Sequence, residues 1–136
     1  MDPKEVTVVG AGTMGNGIAQ VFAQAGYPVT IIDIVPGQLE RAIETIGRSL
    51  ARLAEKGKIA TADRQATLSR IRTATSLSAA AGCDLAVEAV VEDAATKKEV
   101  LSQLDSLLPP HAILATNTSS ISITALAGAV RRPAQV

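Results

Sequence analysis

Aromatic side chains are almost missing from this sequence: Phe22 and Tyr27 are the only two, and there is no tryptophan. Single-stranded nucleic acid is held by stacking bases on aromatic rings, so that class of partner has no platform here. An excess of one charge is lacking too. Thirteen basic residues balance thirteen acidic ones, which leaves no bias toward a polyanion or an acidic membrane surface. Cys83 is the single cysteine and His111 the single histidine. One thiol forms no internal disulfide, and one cysteine with one histidine makes no zinc site, so no metal is expected. The N-terminus has no charged segment leading into an apolar one, and no apolar run approaches about 18 residues. A soluble protein of a reducing compartment, the cytoplasm, is the expectation.

What is present is concentrated between Val6 and Asp33. Val6-Thr7-Val8-Val9 reads as a strand, and Gly10-Ala11-Gly12-Thr13-Met14-Gly15 as a glycine-rich turn. An apolar helix-like segment then runs to Gly26, and Val29-Thr30-Ile31-Ile32 leads to Asp33. G-x-G-x-x-G alone is a weak signal, because glycines mark many turns. Here it has the required context of a strand before, a helix after, and an acid roughly 20 residues on. Gly10 permits the tight turn, Gly12 lets backbone approach a pyrophosphate, and Gly15 lets the helix pack near the sheet.

No side chain from Gly10 to Gly26 is charged. A pyrophosphate held here must rely on helix N-terminal N–H groups and the helix dipole rather than on a lysine. The G-x-x-x-x-G-K-[ST] pattern of a P-loop is absent. Asp33 then selects the nucleotide. A carboxylate at this strand end accepts from the adenosine ribose hydroxyls. It also repels a 2′-phosphate, since two unit charges about 4 Å apart cost on the order of 4 kcal/mol at a near-surface dielectric. Ile34, Val35, Pro36 and Gly37 bring no arginine to offset that. NAD is favoured over NADP, with FAD the runner-up.

The remaining pattern is that of one α/β domain over residues 1–136, long enough for a real core. In the first helix, about Thr13 to Ala25, Ile18, Val21, Phe22 and Ala25 fall on one face and are expected to face the core. Leu39, Ile43, Ile46, Leu50 and Leu53 repeat at helical spacing up to Gly57. Thr61 is placed to cap a shorter helix through Leu68. Together these make an αα-hairpin insertion, about residues 36–70, after the second strand. Arg48, Arg52 and Lys56 form a basic stripe on it with Ser49 beside them. By pattern alone the stripe reads as a solvated face. Ile71 to Ala74 is a third strand, and Asp84 to Val91 a fourth, nearly continuous in apolar residues as a doubly covered parallel strand is. Glu88 interrupts it and is given no role. Asp93 is placed to cap a helix whose Val100, Leu101, Leu104, Leu107 and Leu108 face the sheet. Ala112 to Ala115 is a fifth strand, with His111 at its entry end.

Thr116-Asn117-Thr118-Ser119-Ser120 follows that strand directly, where ligands of open α/β sheets bind. The plainer reading is that Ser120 or Ser122 caps a helix from about Ile123 to Val130. Ala134-Gln135-Val136 reads as the approach to a sixth strand, so a longer polypeptide is expected. The fold expected throughout is a Rossmann-type doubly wound parallel sheet.

The glycine turn, Val87-Glu88-Ala89-Val90-Val91-Glu92 with Lys97 five residues on, and Ala115-Thr116-Asn117-Thr118-Ser119-Ser120 together resemble the 3-hydroxyacyl-CoA dehydrogenases. The 3-hydroxybutyryl-CoA dehydrogenase branch is the nearest, and the resemblance covers the whole chain. It implies hydride transfer between C3 of an L-3-hydroxyacyl-CoA and NAD. It further implies that Gly10, Gly12, Thr13, Met14, Gly15 and Asp33 hold NAD, with Glu92 and Lys97 on its nicotinamide side. Ser119 would bind the substrate oxygen and place it against the nicotinamide, while Asn117 shapes that turn. Ser49 and Lys56 correspond to hairpin positions that meet CoA, a lysine serving as a point charge for its phosphates. The family's catalytic histidine, held by a glutamate, is expected just beyond Val136, as is a helical domain through which the full-length protein forms a homodimer. This chain alone is then expected to be inactive. The alternative is a non-catalytic dinucleotide-binding or sensing module.

Overall fold

All four residues of β1 (Val6–Val9) are buried, as a parallel strand covered on both faces must be. Their alternation divides the interior in two. Val6 and Val8 join one apolar cluster, and Val9 joins the other. The computed structural model, which describes residues 4–89 and 94–116, builds outward from this strand. β1 pairs in parallel with β2 (Val29–Ile32) on one side and β4 (Leu85–Glu88) on the other. β3 (Ile71–Ala74) continues beyond β2, and β5 (Ile113–Thr116) beyond β4. The order β3-β2-β1-β4-β5 therefore reverses direction at β1. A reversal of this kind opens a crevice at the carboxyl ends of the central strands.

Helices α1 (Thr13–Gln24) and α2 (Pro36–Glu55) supply the first cluster through Ala19, Ala23, Leu39, Ala42, Ile46 and Leu50. Helix α4 (Ala94–Leu107) supplies Leu101 and Leu104 to the second, with Leu108 just past its end. A single 3-10 turn, Leu77–Ala80, carries the chain from β3 toward β4. Between β2 and β3 lie two helices, α2 and the shorter α3 (Thr61–Ser69), packed against each other.

Helix α1 departs from the sequence expectation. It buries Gly15, Ala19 and Ala23, whereas Val21 is 67% exposed, Ala25 is exposed, and Ile18 and Phe22 are only partly covered. Sterics decide this. A Cβ on Gly15 would fall inside the carbonyl oxygen of Gly10, so the helix lies too close to the turn for bulky side chains on its inner face. The smallest residues turn inward, and the larger ones flank the contact.

Smaller differences have local causes. Thr61 is the first helical residue of α3, not its cap. The carboxylate of Asp63 instead accepts the Ala60 N–H, at 3.3 Å. Asp84 stands outside β4, its side chain bonded to the backbone of Lys4 and Glu5. β4 ends at Glu88, with Ala89 already outside it, short of the expected extension; Val90 and Val91, the Asp93 cap, the helix over Ile123 to Val130 and the sixth strand lie outside the described residues.

Candidate functional site

The carboxyl edge of the sheet is where β1, β2 and β4 deliver their next residues. Gly10, with φ of 108°, turns the chain out of β1 in a conformation that side-chain-bearing residues rarely adopt. Its N–H donates to the carbonyl of Ile32 at 2.7 Å, tying the turn to the end of β2. Asp33 tightens the same junction. Its Oδ2 accepts the Ala11 N–H at 3.0 Å, and its Oδ1 accepts the Val35 N–H at 2.9 Å. An ionised carboxylate has about four acceptor positions. One backbone donor on each oxygen leaves each oxygen able to accept again, which is what a pair of ribose hydroxyls requires.

Helix α1 starts at Thr13 with Gly12 as its cap residue; no side chain caps it and its first turn contains no acid. Its leading amides and dipole favour an anion. A Cβ placed on Gly12 meets nothing within 4 Å, so the backbone there borders open space. Thr13 and Met14 are exposed at the same helix start.

A cavity of about 170 Å³ adjoins the turn. Val9, Ile32, Leu77 and Val100 form apolar walls, and Gly10, Asp33 and Ile34 complete it. That is room for one flat ring system rather than a whole dinucleotide. Ile34, on its lining, is 84% exposed, an apolar surface whose covering would be worth up to about 1.5–3 kcal/mol. A larger groove of about 660 Å³ runs between α2 and β3, but Glu40 and Glu44 line it and repel an anion. Chemistry, not volume, selects the smaller cavity.

Residues 34–37 contain no arginine, yet the fold brings one near: Arg41 Nε donates to the Gly37 carbonyl at 3.2 Å. Ile34, Leu77 and Val100 were not marked as site residues by the sequence. The one available signal was a bulky apolar residue directly after Asp33, where turns are usually polar. Leu77 carried none, because its 3-10 turn has no periodicity to read.

The other expected site residues separate into groups. Ser49 lies on α2 and Lys56 is the C-cap residue that follows it, and Ser49 Oγ is 2.9 Å from Gln20 Nε2 on α1. Arg48 lines a cleft with Glu44, Gly47, Ala51 and Arg64. Lys97 sits in the first turn of α4. Glu92, Asn117 and Ser119 lie outside the described residues. Glu88 ends β4, fully buried and in register with Val9 and Thr116. Cys83 is buried, and that burial raises its thiol pKa, against a hydrogen bond with Thr7 that lowers it. His111 is bound at the opposite, amino edge, its Nε2 2.9 Å from Asp84 Oδ1.

Residues 5–136 match the family model described as the 3-hydroxyacyl-CoA dehydrogenase NAD binding domain. The chain belongs to that family. A 3-hydroxybutyryl-CoA dehydrogenase of Bradyrhizobium diazoefficiens is 44% identical over 130 residues, 96% of this chain and 44% of the relative. The crystal structure of the Escherichia coli 3-hydroxybutyryl-CoA dehydrogenase superposes with a TM-score of 0.97 at 40% identity, covering 100% of this chain and 29% of that one. The (S)-3-hydroxybutyryl-CoA dehydrogenase of Ralstonia eutropha gives 0.95 at 40% identity, covering 98% and 47%. The chain spans about half the length of the curated relatives it matches.

Family and geometry agree on the fold, a Rossmann-type doubly wound sheet, and on NAD as the nucleotide. The fit is physical as well. The space at Gly12 admits a pyrophosphate, the uncapped start of α1 attracts it, Asp33 keeps acceptor capacity for the ribose, and the apolar cavity suits adenine. Among the described residues no helix is long and apolar enough to cross a membrane.

Proposed function

We propose that residues 1–136 form the NAD-binding domain of an enzyme that moves hydride between C3 of an L-3-hydroxyacyl-CoA and NAD, giving the 3-ketoacyl-CoA. The observation that carries this reading is the family match over residues 5–136 on a strand edge chemically suited to NAD. NAD, when bound, supplies the hydride acceptor. The chain's own residues bind and orient. The glycine turn with Thr13 and Met14 holds the pyrophosphate, and Asp33 holds the ribose and turns away a 2′-phosphate. Glu92 and Lys97 are assigned to the nicotinamide side, Ser119 to the substrate oxygen and Asn117 to the turn that presents it. Ser49 and Lys56 are assigned to CoA. The resemblance of the three motifs supports these roles.

As hydride leaves C3, the hydroxyl proton must go to a base. His111 is not that base, because Asp84 holds it at the far edge of the sheet. Ser119 orients the oxygen without removing its proton. A cytoplasmic, homodimeric full-length protein completes the reading. NADH absorbance with acetoacetyl-CoA tests it. The full-length protein is expected to turn over NADH, with NADPH at least about tenfold poorer, the factor that 1.4 kcal/mol of the repulsion at Asp33 provides. No turnover, or NADPH at parity, overturns it.

A further inference from the structure

Serines on the helices of this fold use their hydroxyl protons in two ways. Ser69 donates to the carbonyl of Ala66 at 2.7 Å, and Ser106 to that of Ser102 at 3.3 Å. Each returns its proton to its own helix, the usual outlet for a helical hydroxyl. Ser49, in the middle of α2, does not. Its single hydrogen bond among the described residues is to Gln20 on α1, whose Nε2 lies 2.9 Å from Ser49 Oγ. The same Nε2 lies 3.1 Å from Gln24 Oε1. A side-chain amide nitrogen carries two donors and no acceptor, so Gln20 spends one on Gln24 and the other on Ser49. The Ser49 oxygen is thereby an acceptor, and its own proton remains to be given outward.

We infer that Gln20 is a positioning residue that fixes Ser49 as a hydrogen-bond donor to the CoA moiety of the substrate. The inference rests on the assignment of Ser49 and Lys56 to CoA. It explains how a neutral hydroxyl is useful there. Phosphate and amide-carbonyl oxygens of CoA only accept, so a serine that had returned its proton to the helix would face them with lone pairs. Lys56, seven residues on, lies about 10 Å along the axis. A donor hydroxyl facing α1 and, about two turns on, an exposed ammonium at the C-cap of α2 thus follow one another along the hairpin. Gln20 adds no charge and needs no contact with the ligand; it acts by holding the Ser49 hydroxyl toward α1, away from the carbonyls of its own helix.

A double-mutant cycle on the 136-residue chain tests this, with coenzyme A titrated by calorimetry. Gln20→Met keeps the length of the side chain and removes the donor; Ser49→Ala removes the hydroxyl. Each is expected to weaken coenzyme A about fivefold, and the double variant no more than either alone, because both remove the same interaction. NAD affinity, measured on every variant, is expected to stay within twofold, which establishes that the domain is folded. Gln20→Leu replaces Gln20→Met should the latter lose NAD binding. Multiplying effects, or a Gln20→Met chain that binds coenzyme A like the parent, overturn the role of Gln20 and leave the CoA assignment standing. A parent chain that binds NAD but not millimolar coenzyme A overturns both.

Discussion

Asp33 and Asp84 stand at opposite edges of one parallel sheet and use the same hydrogen bonds for different ends. Asp33 follows β2 at the carboxyl edge and accepts two backbone amides, one on each oxygen. Asp84 precedes β4 at the amino edge. Its Oδ2 accepts the N–H groups of Lys4 and Glu5 at 2.8 and 3.2 Å, and its Oδ1 meets His111. Three partners on two oxygens, two of them from the segment leading into β1 and one from the residue leading toward β5, make Asp84 a clasp for the start of the sheet. Two partners leave Asp33 both a clasp for the glycine turn and an acceptor for something not yet bound. Of about four acceptor positions on each carboxylate, Asp33, at the edge proposed for NAD, uses two among the described residues and Asp84, at the edge that holds the fold together, uses three.

The severest break is expected within the turn that Asp33 clasps, where two glycines do unlike work. Gly15→Ala drives a methyl into the carbonyl of Gly10, and neither atom is at the end of a flexible side chain. Destabilisation at or above about 3 kcal/mol is expected, the upper part of the range for overpacking, read as a lowered urea midpoint. Gly12→Ala meets nothing within 4 Å, so the same melt is expected to drop by no more than about 1 kcal/mol, the cost of alanine in place of glycine at a helix cap. NAD affinity is nevertheless expected to fall at least about tenfold, or 1.4 kcal/mol, because the methyl occupies the approach of the pyrophosphate. If Gly12→Ala binds NAD normally, the open space there is not the nucleotide's.

Asp33→Asn comes next. The amide oxygen can keep one of the two backbone bonds, while the nitrogen now faces an N–H it cannot accept. Hydrogen bonds to charged groups contribute about 1.5–3 kcal/mol, so stability and NAD affinity are both expected to drop, affinity by about tenfold or more. Discrimination against NADP is expected to shrink to about threefold, since the repelling charge is gone. Loss of NAD affinity with unaltered stability would mean that the bond to Ala11 is incidental.

These two edges were unequally legible. The strands could be read because apolar runs and turn residues bracket them, and Ile71 to Ala74 was placed to the residue. Asp33 could be found because the glycine motif says where to look. Its bond to Ala11 could not, since it joins residues 22 apart through a backbone amide that carries no side-chain signature. On α1 two apolar stripes compete. Hydrophobicity favours Ile18, Val21 and Phe22, but the close approach at Gly15 admits only Ala19 and Ala23. Nothing in the spacing of Asp84 and His111, 27 positions apart, announces a pair; the parallel register of β4 and β5 creates it.

The smallest effect is expected at Asp84, and its pH dependence sets it apart from Asp33. The hydrogen bond from His111, followed by those from the backbone of Lys4 and Glu5, holds the Asp84 carboxyl below its ordinary value of 3.8. A carboxylate whose folded pKa is depressed stabilises the fold at pH above its unfolded value. That contribution fades as pH falls through the folded one. Asp84→Asn should therefore lower the urea midpoint at pH 7, and the gap from the parent should close as both are titrated below about pH 3.8. NAD affinity at pH 7 is expected to stay within twofold, because the clasp lies at the far edge of the sheet from the glycine turn. A gap that persists unchanged into acid would show that the neutral amide fails for lack of shape rather than charge. Asp84 would then be a packing residue and not the more fully engaged counterpart of Asp33.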